Sequence, residues 1–365
     1  MDRALPKIAG RRPAWLVSGR NTIANCFSAL ANLVGLASRV RKRFGCDGVI
    51  LELHEVSAPE EQTLKLRSSL TPESLEMLLA YVRRSGWRMI GMDEVHKRLT
   101  GESHDAEPFV AFTFDDGYAA CLRTALPVFR QYQAPFCANV VVGYLDRTVP
   151  HWEKALEALI LAQNELRMDR VGGSEPLRVR SLNEKRAALR RLMAVLLDDL
   201  RHDRSPLGNF WDRQSADPIA LSAPALLSWQ DLAELAHDPL VTIGAHTLTH
   251  PVLSSLSEER ARIEIAQSKA VLERRLAMPV HHFAYPFGGD YACCLREERL
   301  VMEAGFKTAI TTRLGHINSG HRHNLCSLPR IPVRGPKAST ASLRTAFCGL
   351  STLFSSRPAV QSSSL

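Results

Sequence analysis

Phe109-Val110-Ala111-Phe112-Thr113-Phe114-Asp115-Asp116-Gly117 is the stretch from which the fold is read. Its first six residues are a short apolar run, as expected of a buried strand, and it ends in two adjacent carboxylates and a glycine. α/β folds place their ligands there, just beyond the carboxyl ends of the strands. Similar runs recur at residues 49–53, 136–142, 241–245 and 307–311, with helical segments between them. Thr71-Pro72-Glu73-Ser74 forms an N-cap with proline in the first turn, and Leu75, Leu78, Leu79 and Val82 supply a buried stripe. Another helix is expected from Ser257, with Glu258 and Glu259 near its positive end, to Leu276. Strands alternating with helices predict an α/β chain with a largely parallel sheet or barrel.

Residues 151–225 break this rhythm. Two long helical patterns, 152–168 and 182–201, flank Val171-Gly172-Gly173-Ser174, so the region reads as a helical insertion capping the sheet over the substrate cleft. Residues 1–47 form a basic leader. Ile23, Phe27, Leu30, Leu33 and Leu36 recur at helical spacing between Arg11, Arg12 and Arg20 on one side and Arg39, Arg41, Lys42 and Arg43 on the other. That pattern suits an amphipathic helix packed on the domain or lying on an anionic membrane, and it lacks the continuous core and cleavage site of a secretory signal. Residues 336–365 are a Ser-rich tail, leaving 48–335 as the α/β domain.

The 365 residues fit two ordinary domains or one enlarged barrel, and 45% hydrophobic against 23% charged residues excludes a disordered, collagenous or coiled-coil chain. No run approaches the eighteen or so consecutive apolar residues of a spanning helix. The net charge of +8 is carried mostly by arginine, which suits an anionic membrane or glycan, or an Arg-rich solvated surface. No nucleic-acid contact is expected, because the arginines are dispersed and no basic stripe is interleaved with aromatics. Eight cysteines without C-x-x-C spacing read as reduced thiols, so a cytoplasmic, optionally membrane-associated location is expected.

Adjacent carboxylates repel unless they share a cation or a proton, so Asp115 and Asp116 suggest a metal site; alone, the pair also reads as a helix cap with a solvated neighbour. A second strand, Val241–Ala245, runs into His246-Thr247-Leu248-Thr249-His250-Pro251. The proline disfavours helical geometry at His250, which places both imidazoles on a loop at the strand end. Two histidines and one aspartate leave a fourth position open, the arrangement of catalytic zinc, in which a bound water ionises near neutral pH and a neighbouring carboxylate takes its proton. A third segment, Phe283-Ala284-Tyr285-Pro286-Phe287-Gly288-Gly289, ends in a turn where the Phe287 N–H is a candidate oxyanion donor.

Taken in order, Thr113-Phe114-Asp115-Asp116-Gly117, His246-Thr247-Leu248-Thr249-His250-Pro251 and Tyr285-Pro286-Phe287-Gly288 resemble the leading motifs of the polysaccharide deacetylase family, carbohydrate esterase family four with its NodB-homology domain. The resemblance implies a distorted (β/α) barrel, a divalent metal, most commonly Zn2+, and hydrolysis of N- or O-acetyl groups on sugars. It implies Asp115 as general base and Asp116, His246 and His250 as metal ligands. Many members carry an arginine where this chain has Ala284; Arg330, in Leu328-Pro329-Arg330-Ile331-Pro332-Val333, is the candidate to approach the base from the other side. The late motif with a histidine general acid is absent. His54, in Leu51-Glu52-Leu53-His54-Glu55-Val56, is a candidate acid, with His316, His321 and His323 as further ones. The function expected is removal of N-acetyl groups from an amino sugar in a polysaccharide, oligosaccharide or lipid-linked glycan. The alternatives are an O-deacetylase, a deformylase of a lipid-linked sugar, and a non-catalytic glycan- or membrane-binding protein on the same fold.

Overall fold

Among the described residues ten strands organise the fold: β1 (Gly48–Leu53), β2 (Arg88–Ile90), β3 (Phe109–Phe114), β4 (Phe136–Val140), β5 (Glu165–Leu166), β6 (Leu177–Arg178), β7 (Val241–Ala245), β8 (His282–Ala284), β9 (Thr308–Leu314) and β10 (Leu328–Pro332). The structure, a computed structural model, describes residues 46–57, 64, 69–167 and 176–333. Residues 1–45 of the basic leader, Val171-Gly172-Gly173-Ser174 and the Ser-rich tail lie outside the described residues. Those that are described fall within one compact unit, Gly45–Ala338.

Parallel pairing runs from β1 through β10, β9, β8, β7, β4 and β3, and β3 pairs back onto β1 over its whole length, which closes a ring. The ring is uneven. On the edge of β3 that faces away from β1, Phe112–Phe114 pair with β4 but Phe109–Ala111 pair with β2. The barrel is thus sealed at the carboxyl ends of its strands and wedged open by β2 at the amino ends, the distorted (β/α) barrel expected above.

Both faces of these strands are buried, which explains their nearly unbroken apolar runs. Outside the ring, Phe112 and Phe114 meet Phe129 and Phe136 edge-on, with centroids 5.2 to 5.7 Å apart. Inside, Ile50, Ala111, Cys137, Ala284, Ile310 and Leu328 pack together. Side chains on one face recur every second residue, so the next inward positions are Glu52, Thr113, Asn139 and Arg330, all buried. The barrel interior therefore changes from apolar to polar one step below the site. Room for this polar layer depends on Gly244: a Cβ there would lie 2.1 Å from Asn139 Oδ1.

Helix α1 (Pro72–Arg84) starts at Thr71, whose side chain accepts from Ser74 N, and buries Leu75, Leu78, Leu79 and Val82. Between β4 and β7 lie α2 (Trp152–Ala162), the β5–β6 hairpin and α3 (Leu182–Arg201), which opens with a Ser181/Glu184 capping box. The first of these helices is shorter than its expected span of 152–168. Gln163 turns extended, and Leu166 leaves the helix to pair with Leu177. Leu156, Leu159, Ile160, Leu189, Leu192, Leu196, Phe210 and Trp211 form a separate core for this region, and Leu64, from the β1–α1 connection, joins it. After β7, α4 (Glu258–Leu276) begins at a Ser257 cap. The strand expected at 136–142 stops at Val140, because Val142–Leu145 coil into a helical turn. The strand expected at 307–311 instead runs to Leu314. Among the described residues, no helix is long and apolar enough to cross a membrane, and Cys121, Cys137, Cys293, Cys294 and Cys326 form no disulfide.

Gly244→Ala is expected to displace Asn139 and cost about 1–3 kcal/mol of stability as overpacking. Urea denaturation against the parent protein checks this.

Candidate active site

Two strand ends bring three side chains to one point. Asp116 follows β3, and His246 and His250 follow β7; their ligand atoms lie within 4.8 Å of one another. Asp116 Oδ1 is 3.5 Å from His246 Nε2 and 3.3 Å from His250 Nε2. His246 Nδ1 lies 2.7 Å from the Ala284 carbonyl. A carbonyl only accepts, so Nδ1 carries a proton, and Nε2 is the ring nitrogen left to face Asp116 and His250. Burial pushes His250 down to about 4 against the pull of Asp116, which keeps its imidazole neutral, the metal-binding form. Burial opposes protonation of His246 too, but Asp116 and Asp115 hold its pKa above the ordinary value. Burial would raise Asp116, yet hydrogen bonds from His151, His246 and His250 take it well below the carboxylate range. Two imidazoles and one carboxylate around a common point fit a divalent cation with an open position.

Asp115 is held differently. Its Oδ2 pairs with Arg330 Nη2 at 2.7 Å, and its Oδ1 accepts from Asn139 Nδ2 at 2.8 Å. Arg330 is wholly buried, and it also donates to Thr113 Oγ1 and to the Thr311 carbonyl, with Glu52 at 4.0 Å. Burial alone would raise Asp115; the charges of Arg330 and His246 bring it to about 2. The pair therefore stabilises the fold at pH above the ordinary carboxylate value, and that contribution is lost as pH falls toward 2. The cation missing at Ala284 thus approaches Asp115 from β10.

Asp115, Asp116, His246 and His250 line a cleft of about 560 Å³, together with His54, Phe287, Tyr285 and Thr312. His54 Nδ1 is 3.8 Å from Glu52 Oε1. Phe287 sits in the left-handed region (φ 61°), its ring centroid is 4.9 Å from that of His250, and its N–H has no acceptor among the described residues. His316, His321 and His323 do not line the cleft. They belong to the return after β9, where Ile317 pairs with Gly48 at the amino end of the barrel.

Three neighbours escaped the sequence reading. Asn139 and Glu52 interrupt the apolar strands Phe-Cys-Ala-Asn-Val and Gly-Val-Ile-Leu-Glu-Leu, and that interruption is a usable signal. His151 has none. Its Nδ1 accepts from Lys154 N at 3.3 Å, so its Nε2–H faces Tyr118 Oη at 2.8 Å and Asp116 Oδ2 at 3.5 Å. It therefore steadies the carboxylate as a donor.

A barrel closed at its carboxyl ends, with an aspartate and two histidines grouped there and a second aspartate alongside, defines a metal-centre protein of the hydrolase type. The family model described as Polysaccharide deacetylase matches residues 102–299, more than half of the chain, and the protein belongs to that family. Solved structures similar to it include Streptococcus pyogenes deacetylase PplD in complex with acetate, at 18% identity over 86% of this chain and 98% of that one, with a TM-score of 0.53. IcaB from Ammonifex degensii is 18% identical over 84% and 98%, with a TM-score of 0.53. The de-N-acetylase from Aggregatibacter actinomycetemcomitans is 13% identical over 82% and 99%, with a TM-score of 0.54. At these identities the likeness speaks for the fold. No curated protein matches the chain.

Arg330→Met leaves Asp115 buried without its counter-charge and is expected to cost about 3–5 kcal/mol. Thermal and urea unfolding at neutral pH measure the loss.

Proposed function

We propose that this protein is a metal-dependent amidase that removes the N-acetyl group from an amino sugar in a polysaccharide, oligosaccharide or lipid-linked glycan. One observation carries the reading: Asp115 lies beside the Asp116–His246–His250 cluster, outside its ligand set, at the floor of the same cleft. Asp116, His246 and His250 would hold a divalent ion, Zn2+ being the first choice for imidazole and carboxylate donors, and it would polarise the acyl carbonyl and acidify a water.

Asp115 is the base that takes the proton of the attacking water. Arg330 and Asn139 fix the plane of its carboxylate, and each oxygen keeps a lone pair beyond those bonds. The water oxygen bonds to the acyl carbon, and the Phe287 N–H meets the developing oxyanion, a contact typically worth about 3 kcal/mol. The C–N bond then breaks, and His54, in its protonated form, gives the leaving nitrogen its proton. Acetate and a free amino sugar result.

Peripheral contact with an anionic membrane through the basic leader is a further part of the proposal, resting on the flanking cations and helical apolar spacing in residues 21–43. Deletion of residues 1–45 is expected to lower binding to anionic liposomes, most at low salt; unchanged partitioning removes this part.

Asp116→Ala and His246→Ala are each expected to lose bound metal, measured by elemental analysis after dialysis. Asp115→Asn is expected to retain metal and lose turnover in acetate release from acetylated sugars. Full activity in Asp115→Asn would sink the base assignment.

A further inference from the structure

The cleft over the site is lined from almost every direction. Its residues come from the end of β1 (Glu55), from the β1–α1 connection (Leu70), from the insertion (Glu153, Met193, Leu197), from the loop after β8 (Tyr291) and from the end of β10 (Val333). Met193 and Leu197, one turn apart on α3, share a face. A groove that let a polymer pass across the barrel mouth would leave two opposite sectors of this rim open.

The contacts between neighbouring sectors run the other way. Lys154 of the insertion pairs with Glu55 at 2.8 Å and with Glu157 at 3.2 Å. Glu157 accepts from Leu64 N, and the Leu64 side chain is buried in the insertion's own core. That joins the β1 sector to the insertion. At the far end of α3, Arg201 stacks on Tyr291 with its guanidinium 4.4 Å from the ring centroid, which joins the insertion to the β8 sector. Asp290, next to Tyr291, pairs with Arg313 of β9 at 2.9 Å. Val333 N donates to the Glu52 carbonyl, which ties β10 back to β1.

From this ring of contacts we infer that the cleft is a blind pocket, which admits a terminal N-acylated amino sugar end-on and excludes an internal residue of a continuous glycan. The inference rests on the amidase reading and narrows its substrate class. A volume of about 560 Å³ lies within the ~300–1,000 Å³ of pockets that enclose most of a small ligand. The terminal sugar can belong to an oligosaccharide or be a single sugar on an alkyl aglycone; both leave through one opening.

The test uses the metal-loaded full-length protein, a ladder of short N-acetylhexosamine oligomers and the alkyl glycoside of the single sugar, with each new amine located by tandem mass spectrometry. Release at a chain end should exceed release at internal positions by at least about tenfold. Comparable internal release overturns the blind pocket while the amidase reading stands; release from no member of the set takes both away. Turnover of the alkyl glycoside alone supports the pocket and identifies the single sugar as the source. Lys154→Ala combined with Arg201→Ala, checked for folding by circular dichroism, should lower the end-to-internal ratio. An unchanged ratio overturns the assignment of the wall to these contacts.

Discussion

A guanidinium with no exposed surface inside a barrel is a demanding object, and much of the structure around the site answers to Arg330. Removing such a cation from water costs several kcal/mol unless its donors are met and its charge is opposed. Here Thr113 Oγ1, the Thr311 carbonyl and Asp115 meet the donors, and Glu52 adds a second negative charge nearby. They come from β3 and its end, from β9 and from β1, so the pair can form only when β1, β3, β9 and β10 are in register. The same register sets Asp115 beside Asp116. The geometry that satisfies a buried charge thereby aims the carboxylate proposed as base.

Size complementarity completes that polar layer. Asn139 needs the absence of a side chain at Gly244 on the neighbouring strand, and Cys137 donates to its oxygen from one layer below at 3.4 Å. The Asn139 amide nitrogen is then left to donate to Asp115. A larger residue at 244 would push the amide toward the carboxylate it orients, so a change two layers from substrate would be felt at the reacting groups.

The motifs were legible because each combines a strand pattern with side chains whose chemistry has few other uses at a strand end. Phe109–Phe114 with Asp115-Asp116, and Val241–Ala245 with His246 and His250, are such cases. The capped helices were legible because Thr71 and Ser257 act locally. Arg330 could be suspected only through its position near a late strand, since nothing in Leu-Pro-Arg-Ile-Pro says how far its side chain reaches. His151 was invisible: its role depends on the tautomer set by Lys154 N and on the fold bringing it to Asp116. Helix α2 was overextended because the apolar Leu166 prolongs the pattern, although Gln163-Asn164 have already broken the buried face. Closure of the ring through β1 and β3, and the wedge of β2, involve pairings between distant segments that periodicity does not encode.

The backbone around the site carries a cost that these supports must offset. Asp116, Thr247, His250 and Phe287 all have positive φ, at 74°, 69°, 59° and 61°, and none is glycine. Sparsely populated conformations of this kind cost about 1–3 kcal/mol each and persist only where their surroundings over-determine them. Thr247 accepts from His250 N, while Glu264 of α4 accepts from Leu248 N, Thr249 N and the Thr249 hydroxyl. The histidine loop is thus gripped from within and from the helix that follows it. The backbone after β3 and β7 is bent so that Asp116, His246 and His250 share one point, which a relaxed strand-to-helix turn would not achieve. Strain at the strand ends and satisfaction of the buried charge beneath them are therefore two parts of one arrangement, with the sealed end of the barrel supplying the rigidity both require.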